Sequence, residues 1–534
     1  MLAKIARFLL VGAMLMVVVT ACGGQQSATK EQDLLHVKSL NTGPAKKVIF
    51  LLVDSLMAHA IDRGIEQNEL PAFRFLTEHG RYYKDVVSSY PTMSVAIDSS
   101  LMTGTYPDGH RIPGLVWYSE DEQRVVNYGT GPMEIMKQGI HPVVADALIN
   151  LNGKHLSREQ TTIYEELAQR GLKSGSINGL IYRGTAKHQL SIPRWAQAAA
   201  QLPGQIEVQG PDFLALASLS NPLEGTHDLP DGLTHRMGLD NSYSMEVVKY
   251  LVQHNRLPDF LLVYLPDMDQ KLHRKGPDDL KGIKELDKQL YELLQAFGTP
   301  EEALKQTVFV LAGDSGMTAI KEKKQRPVID LSSVFKDYNV LPTGGTVADS
   351  TDIVLAVNET MAYVYKLKPN MSLRELAQLL QADERIDIIS WKEGDWIYTI
   401  QGAASGEARY KAEGPLTDSY GQKWTVEQDA KVLDVTIDAA NQTIQYGNYP
   451  DVLRRLFGAL HSHSGDFLVV NAKPGYELAD RSSPTHKGGG GHGAIGKQES
   501  LVPLIVAGTD QQPQFLRIVD LKSFFLKLLT MPKG

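Results

Sequence analysis

The sequence contains a single cysteine, Cys22, among 534 residues. Because a disulfide needs two thiols, none can form within the chain, and stability must come from a large apolar core and from bound metal. The formal net charge is -8, and no long run of basic residues is present. This balance argues against a protein that wraps nucleic acid or that is drawn to anionic lipid by its surface charge.

The N-terminal region lacks an apolar run long enough for an ordinary membrane-spanning helix, because residues 8–19 supply only about twelve. Lys4 and Arg7 precede this run, and Thr20-Ala21-Cys22-Gly23 follows it, as in a secretory signal that ends in a lipobox. We therefore expect a lipoprotein signal peptide over residues 1–21, lipid attachment at Cys22 and a flexible tether over residues 22–43. The protein is then exported, anchored to the cell membrane and facing outside. The alternative is an uncleaved anchor helix with an incidental cysteine.

Helical and strand-like segments alternate from residue 46 to about residue 321. Apolar periodicity predicts helices over residues 69–80, 161–171, 244–254 and 279–297, with apolar runs of strand character between them. This alternation predicts an α/β fold, a three-layer doubly wound sandwich with a mostly parallel central sheet.

The pattern changes after residue 340. Short alternating segments and one helix, over residues 373–381, indicate an inserted α+β cap. We expect the catalytic core to comprise residues 44–340 and 451–534, and the cap to comprise residues 341–450. The apolar runs 466–470 and 501–507 are predicted to return to the core sheet.

Metal-ligand residues follow several of these apolar runs. Asp54 ends one run, Asp314 ends another, and a third leads to Asp267 and Asp269, with His273 just beyond. Ligands in open α/β sheets gather at the carboxyl ends of such strands, so these side chains are expected to converge. His492, in a glycine-rich loop, joins them, and the set predicts a two-metal hydrolase of phosphate or sulfate esters.

The order and spacing of these motifs resemble the alkaline phosphatase superfamily, and within it the type I phosphodiesterase and nucleotide pyrophosphatase branch. The resemblance extends over about residues 46–317 and 466–508. The matching segments are Asp54, Pro91-Thr92 with Gly104 twelve residues after Thr92, Asp269-x-x-x-His273-x-x-Gly276-Pro277, Gly313-Asp314-Ser315-Gly316-Met317, and His492-Gly493.

The resemblance implies two divalent metal ions. Asp269, His273 and His492 would hold the first and leave a coordination position open, as in catalytic zinc sites. Asp54, Thr92 and Asp314 would hold the second, which could be zinc, manganese, magnesium or calcium. Family mechanism implies a covalent phospho-threonine on Thr92. Ser94 is the alternative nucleophile, although the spacing to Gly104 favours Thr92.

The sequence departs from the family pattern at Ser315, where a histidine usually ligates the second metal. Since a hydroxyl is a poorer zinc ligand than imidazole, either a weaker site or a harder cation is expected there. Asp267 competes with Asp269, but the His-x-x-Gly-Pro register favours Asp269. Ser315, Asp267 and His486 are therefore candidates for supporting or substitute ligands. Five further histidines, His110, His227, His235, His461 and His463, are expected at the surface or behind the ligands.

Two further expectations concern aromatic residues and Arg111. The asparagine that this branch uses to hold a phosphoryl oxygen is missing, and Arg111 or Trp117 could contact the substrate instead. Trp391, Trp396 and Trp424 are expected to pack in the core of the cap.

We therefore predict a metal-dependent hydrolase of phosphate esters, with phosphodiesters favoured over monoesters by the resemblance alone. The substrate would be a small molecule or a lipid head group. The alternatives are a phosphonate or sulfate ester hydrolase, a phosphoryl-group transferase, and a surface lipoprotein that binds substrate without turnover. A further alternative takes Gly313-Asp314-Ser315-Gly316 as the nucleophile loop of a chymotrypsin-like protease, which requires an antiparallel double barrel.

Overall fold

The computed structural model describes residues 46–130, 132–194, 197–198 and 201–530. The predicted signal peptide, Cys22 and the tether lie outside these residues. Over the described part of the chain, every helix is too short or too polar to cross a bilayer.

The described residues form strands that are numbered here in chain order. They are β1 (Lys47–Val53), β2 (Gly80–Val87), β3 (Val116–Ser119), β4 (Arg124–Asn127), β5 (Ser174–Ile177), β6 (Ala186–Ser191), β7 (Gln205–Gly210), β8 (Phe213–Ala215), β9 (Phe260–Leu265), β10 (Thr307–Gly313), β11 (Thr318–Ala319), β12 (Val328–Asp330), β13 (Ile353–Asn358), β14 (Met361–Lys366), β15 (Ile386–Glu393), β16 (Trp396–Gln401), β17 (Glu407–Thr417), β18 (Lys423–Gln428), β19 (Val435–Asp438), β20 (Thr443–Tyr446), β21 (Asp466–Ala472), β22 (Glu477–Ala479), β23 (Gly490–Gly491) and β24 (Leu501–Ala507).

The α-helices are numbered in the same way, and a π-helical segment covers Asp146–His155. They are α1 (Ala58–Glu66), α2 (Pro71–Glu78), α3 (Ser94–Thr103), α4 (Pro107–His110), α5 (Pro132–Gln138), α6 (Ile140–Ala145), α7 (Ile163–Gln169), α8 (Asn241–Gln253), α9 (Asp267–Lys275), α10 (Lys281–Gln295), α11 (Pro300–Gln306), α12 (Leu331–Val334), α13 (Leu373–Gln381), α14 (Val452–Leu460), α15 (Lys497–Ser500) and α16 (Leu521–Thr530). The helices predicted over residues 69–80, 161–171, 244–254, 279–297 and 373–381 are confirmed, with ends shifted by a few residues at most.

A seven-stranded sheet forms the core, in the order β2-β24-β10-β1-β9-β5-β8. The pairs from β10 to β8 are all parallel, whereas β24 runs antiparallel to both of its neighbours. The predicted mostly parallel sheet is confirmed, and so is the return of residues 501–507 to it.

Helices cover both faces of this sheet. On β1, Ile49 and Leu51 point into an apolar cluster with helices α2, α8 and α10. Val48 and Phe50 point the opposite way, into a cluster with α3, α7 and α16. Successive side chains of a strand alternate between faces, so a strand that is apolar throughout requires cover on both sides. The result is the predicted three-layer sandwich.

A second sheet of nine strands runs in the order β13-β14-β21-β15-β16-β17-β20-β19, with β18 paired to β17. Strand β21 lies between β14 and β15 and is antiparallel to both. The prediction that residues 466–470 return to the core sheet is therefore wrong, and this sheet continues past the predicted end of the cap at residue 450. A short buried apolar run fits either sheet, because only its long-range partners decide where it pairs. Trp391 and Trp424 are buried in this region, as expected.

Candidate metal centre

Three neighbouring parallel strands of the core sheet bring the acidic residues together. Val53, the last residue of β1, is in register with Leu265 of β9 and with Gly313 of β10. Asp54 and Asp314 come directly after their strands, and Asp269 lies in the first turn of α9, just after β9. Because the three strands end at the same level, their polar successors meet at one edge of the sheet.

Asp269, His273 and His492 form a compact group of metal-ligand atoms. Asp269 Oδ1 lies 3.1 Å from His273 Nε2 and 3.4 Å from His492 Nε2, and one ligand atom from each residue lies within 4.8 Å of the others. Asp269 and His273 share a face of α9 because they are four residues apart. The structure thus brings together the three residues that the sequence predicted as ligands of the first metal.

The second ring nitrogen of each histidine contacts a backbone carbonyl. His273 Nδ1 lies 2.8 Å from the Gly490 carbonyl oxygen, and His492 Nδ1 lies 2.6 Å from that of Thr92. Such contacts fix the ring orientation and the tautomer of metal-binding histidines. Both Nε2 atoms are therefore directed at Asp269.

Asp54 and Asp314 form a second group, which is poor in hydrogen-bond donors. Asp314 Oδ1 accepts backbone N–H bonds from Ser55 at 2.8 Å and from Ser315 at 2.6 Å. Asp314 Oδ2 is buried and has no hydrogen-bond partner among the described residues. Asp54 Oδ2 accepts a hydrogen bond from the Tyr264 hydroxyl. A buried carboxylate oxygen without a partner is costly, so Asp314 Oδ2 fits a cation.

Side chains of both groups have a raised pKa, because of burial and crowded negative charge at Asp54 and Asp314 and because of crowded negative charge at the two histidines. Burial raises the pKa of Asp54 well above its usual value, and repulsion from Asp314 and Asp269 raises it further. Burial likewise raises the pKa of Asp314. Burial alone lowers the pKa of both histidines, but Glu359 and Asp269 outweigh it and raise the pKa of His273 and of His492 to about 10. The crowded carboxylates are thus a place where positive charge is stabilising.

Thr92 requires a correction. Its hydroxyl is fully buried, donates to the Ala494 carbonyl oxygen at 3.1 Å and accepts from the Gly493 N–H at 2.8 Å. The side chain is thus held by the glycine-rich loop. The Ser94 hydroxyl occupies the expected place instead, because it donates to Asp54 Oδ1 at 3.5 Å from the first residue of α3.

Asp267 and Ser315 are also placed by the structure. Asp267 accepts bonds from Arg236 and from the Asn241 N–H, each at 3.2 Å, so Asp269 is the residue in the ligand group, as the register predicted. The Ser315 hydroxyl lies 3.3 Å from that of Ser55, which donates to Asp269 at 2.8 Å. Ser315 therefore supports the ligands. The chymotrypsin-like interpretation is wrong, because Ser315 is fully buried beside a mostly parallel sheet.

Glu359 is a site residue that the sequence analysis missed. It lies in the tight turn between β13 and β14 of the second sheet. Its Oε1 is 3.7 Å from His273 Nε2, and its Oε2 accepts the His492 N–H at 3.2 Å. No local signal marks it, because a glutamate in a polar turn is common. His486 lies next to Glu359, with 3.8 Å between Nδ1 and Oε2.

The remaining predicted residues lie elsewhere. His110 is buried with Nε2 3.0 Å from the Ser100 hydroxyl, and burial lowers its pKa to about 3. His463 is half-buried in an aromatic cluster, and His227 and His235 are partly exposed. Arg111, Trp117 and His461 line a cleft that is separate from the one containing Ser94.

The cleft over the metal centre has a volume of about 450 Å³. Ser94, Asp269, His273 and His492 lie on one side of it. Its other lining residues include the apolar side chains Leu115, Tyr128, Leu180 and Val357 and the polar residues Asn358, Glu359 and His486. The second sheet contributes Val357 and Asn358 from β13, and Glu359 from the turn that follows β13.

The profile of the type I phosphodiesterase / nucleotide pyrophosphatase family matches residues 48–495. The chain belongs to this family. Type I phosphodiesterases and nucleotide pyrophosphatases hydrolyse phosphate esters, and the family is one of divalent-metal enzymes, which agrees with the ligand groups described above.

Solved structures with the same fold include murine ectonucleotide pyrophosphatase / phosphodiesterase 5, as an inactive variant in complex with AMP. Identity is 13%, the TM-score is 0.52, and the match covers 92% of this chain and 97% of the murine chain. The human counterpart has a TM-score of 0.51 at 13% identity and the same coverage. At this identity the likeness supports the fold alone. A search of the curated proteins finds no match.

Proposed function

We propose that the protein hydrolyses phosphodiesters in a metal-dependent reaction with Ser94 as the nucleophile. The observation that carries the proposal is the position of the Ser94 hydroxyl, 3.5 Å from Asp54 Oδ1 at the start of α3. The unpartnered Asp314 Oδ2 supports it, because it completes an oxygen-rich group around this hydroxyl.

The two ligand groups suit different ions. Asp269, His273 and His492 would hold zinc, since two imidazoles and one carboxylate are a zinc ligand set. Asp54, Asp314 and Ser94 offer only oxygen, which suits magnesium, manganese or calcium and also accepts zinc. Bound divalent ions would supply Lewis-acid stabilisation of phosphoryl oxygens and lower the pKa of a bound hydroxyl.

The residues of the chain position the substrate and supply the nucleophile. The first N–H groups of α3, which is ten residues long, have no intrahelical acceptors and favour a phosphoryl oxygen beside Ser94. In the first step Ser94 gives up its hydroxyl proton as the Ser94 Oγ–P bond forms, the bond from phosphorus to the leaving oxygen breaks, and the leaving oxygen takes up a proton. In the second step a water oxygen bonds to phosphorus, the Ser94 Oγ–P bond breaks, and Ser94 regains its proton.

A diester is favoured over a monoester because the cleft has room beyond the phosphoryl group. Leu115, Tyr128 and Val357 offer apolar contact to the second esterifying group, close to the polar ligands. A small phosphodiester or a lipid head group is therefore the proposed substrate class.

The test is a panel of nitrophenyl phosphate monoesters, phosphodiesters, phosphonates and sulfates, assayed with the full chain at several metal concentrations. We expect the highest kcat/KM for a diester, loss of activity with chelator, and recovery with divalent metal. Highest activity on a sulfate or phosphonate ester would contradict the proposed substrate class. Full activity in chelator would contradict metal dependence.

We also propose that the protein is exported and held at the cell membrane by lipid on Cys22. The support is the sequence of residues 1–23 alone. Cys22→Ser should move the protein from the membrane fraction to the soluble fraction or block its processing. An unchanged distribution would contradict lipid anchoring.

A further inference from the structure

His273, Glu359 and His486 form a second group of metal-ligand atoms beside the first. One ligand atom from each lies within 4.8 Å of the others. Glu359 stands between the two histidines, with Oε1 3.7 Å from His273 Nε2 and Oε2 3.8 Å from His486 Nδ1. The three residues come from α9, from the turn between β13 and β14, and from the loop before β23, so tertiary structure alone assembles them.

The chemistry of this group is that of a transition-metal site. Two imidazole nitrogens and one carboxylate are the protein ligands of several catalytic zinc centres. Because two of the three donors are imidazole nitrogens, the group favours zinc or a similar ion over calcium or magnesium.

An unpartnered nitrogen points to a missing ligand at this place. His486 Nδ1 is buried and makes no hydrogen bond to any part of the chain that the structure describes. Glu477 Oε2 is 3.4 Å away, but both Glu477 oxygens already accept the His486 backbone N–H, at 3.0 and 2.8 Å. A buried nitrogen of this kind is costly unless something binds it.

His273 belongs to both groups, and this restricts how they can be used. Its Nδ1 contacts the Gly490 carbonyl oxygen at 2.8 Å, so only Nε2 is directed at the carboxylates. One imidazole nitrogen binds one metal ion at a time. The Asp269–His492 side and the Glu359–His486 side of His273 are therefore alternative positions for an ion.

We propose that His273, Glu359 and His486 form an additional cation site for zinc or a similar transition-metal ion. The ion at His273 then has two positions, one with Asp269 and His492 and the other with Glu359 and His486. This proposal goes beyond the proposed function, since it concerns ion binding and is independent of Ser94.

The experiment is a titration of the full-length, metal-free protein with Co²⁺, followed by visible absorption. The background variant carries Asp269→Asn, His492→Asn and Asp314→Asn, which disable both ligand groups of the proposed reaction but leave His273, Glu359 and His486 intact. Glu359→Gln and His486→Asn are then added to it. His461→Asn, a partly buried histidine outside both groups, is the matched control. Circular dichroism of the metal-free variants checks folding.

The background variant should bind one Co²⁺ with the intense absorption of a low-coordinate site. Adding Glu359→Gln and His486→Asn should weaken this binding by at least roughly tenfold, the lower end of what loss of a supporting ligand costs. Adding His461→Asn should not. Equal affinity with and without Glu359 and His486 would overturn the proposal, whatever the enzymatic activity of the wild type.

A second measurement applies if the background variant does not fold. Crystals of the single variant Asp269→Asn, soaked in zinc, should show an anomalous peak at bonding distance, about 2.0–2.2 Å, from His273, Glu359 and His486. A peak at His273 and His492 without Glu359 and His486, or no peak at His273, would overturn the proposal.

Discussion

The Ser94 hydroxyl, at the start of α3, donates a hydrogen bond to Oδ1 of Asp54, which directly follows β1, at 3.5 Å. Two residues earlier, the Thr92 hydroxyl is bonded at both ends to the glycine-rich loop. The two hydroxyls thus have different bonding partners. Thr92 fastens the loop that carries His492, and Ser94 faces the carboxylates.

This difference predicts opposite outcomes for two matched variants. Ser94→Ala should lower kcat on a nitrophenyl diester by roughly 10³-fold or more, because loss of a nucleophile removes the covalent route. Thr92→Val should mainly lower stability, by about 1–3 kcal/mol, because it leaves the Gly493 N–H and Ala494 carbonyl without a partner. Steady-state kinetics and urea unfolding measure the two effects. Acid-quenched mass spectrometry should find the phosphoryl group, still carrying the second ester group of the substrate, on Ser94, and the same adduct on Thr92 would refute the assignment.

Tyr264 is expected to hold Asp54 in place for the ion. Its hydroxyl donates to Asp54 Oδ2, and groups that orient a metal ligand typically contribute 10–100-fold to affinity or activity. Tyr264→Phe should weaken divalent-ion binding at the Asp54 group by about that factor. Tyr82→Phe, which removes a hydroxyl bonded to Ala58 at 3.2 Å, is the control. Calorimetric titration of the metal-free variants with a divalent ion measures the two affinities. Equal affinities in Tyr264→Phe and Tyr82→Phe would contradict the proposed role of Tyr264 in orienting Asp54.

The lack of an imidazole at Ser315 is expected to set the ion preference of the second group. The residue directly follows Asp314, and its hydroxyl faces Ser55 at 3.3 Å. Ser315→His adds an imidazole, so the zinc-to-magnesium affinity ratio should rise by at least roughly tenfold. Ser315→Ala, which removes the hydroxyl without adding a ligand, should leave the ratio close to that of the wild type. Competitive metal titration measures it, and an unchanged ratio in Ser315→His would contradict the expectation.

Asp98 is a buried carboxyl group that the proposed mechanism does not use. Both of its carboxylate oxygens lack a hydrogen-bond partner within the described ranges, and burial, followed by repulsion from Asp314, raises its pKa well above 3.8. A raised folded-state pKa means that the folded protein binds the proton more tightly. The stability contributed by Asp98 is thus full below pH 3.8 and is lost as the pH rises through the folded-state pKa.

Asp98→Asn should therefore stabilise the metal-free protein at pH 8, by about 1–3 kcal/mol, and by less as the pH approaches 4. Asp278→Asn, whose side chain is 84% exposed, should change stability by no more than about 0.5 kcal/mol. Urea unfolding at pH 5 and pH 8 provides the comparison. A destabilised Asp98→Asn protein at pH 8 would show that the carboxylate has a partner.

The sequence predicted the core because its signals are local. The apolar run that ends at Asp54 is long enough to need cover on both faces, and this condition requires a parallel sheet between helices. The carboxyl ends of neighbouring parallel strands lie at one edge of the sheet, so the residues that follow them come close together. The spacing of Asp269 and His273 places both on one side of a helix.

Three features were decided by tertiary structure alone. Which hydroxyl faces the carboxylates, that of Thr92 or that of Ser94, depends on how the turn that carries both residues is oriented against the loop around Gly493. The spacing of residues in the sequence does not determine that orientation. Glu359 reaches the metal centre only because a hairpin of the second sheet packs over it. Strand β21 is apolar enough for either sheet, so its antiparallel pairing with β14 and β15 follows from competition between distant partners. Local pattern fixes which side chains a segment buries, but the partner that buries them is chosen by the whole chain.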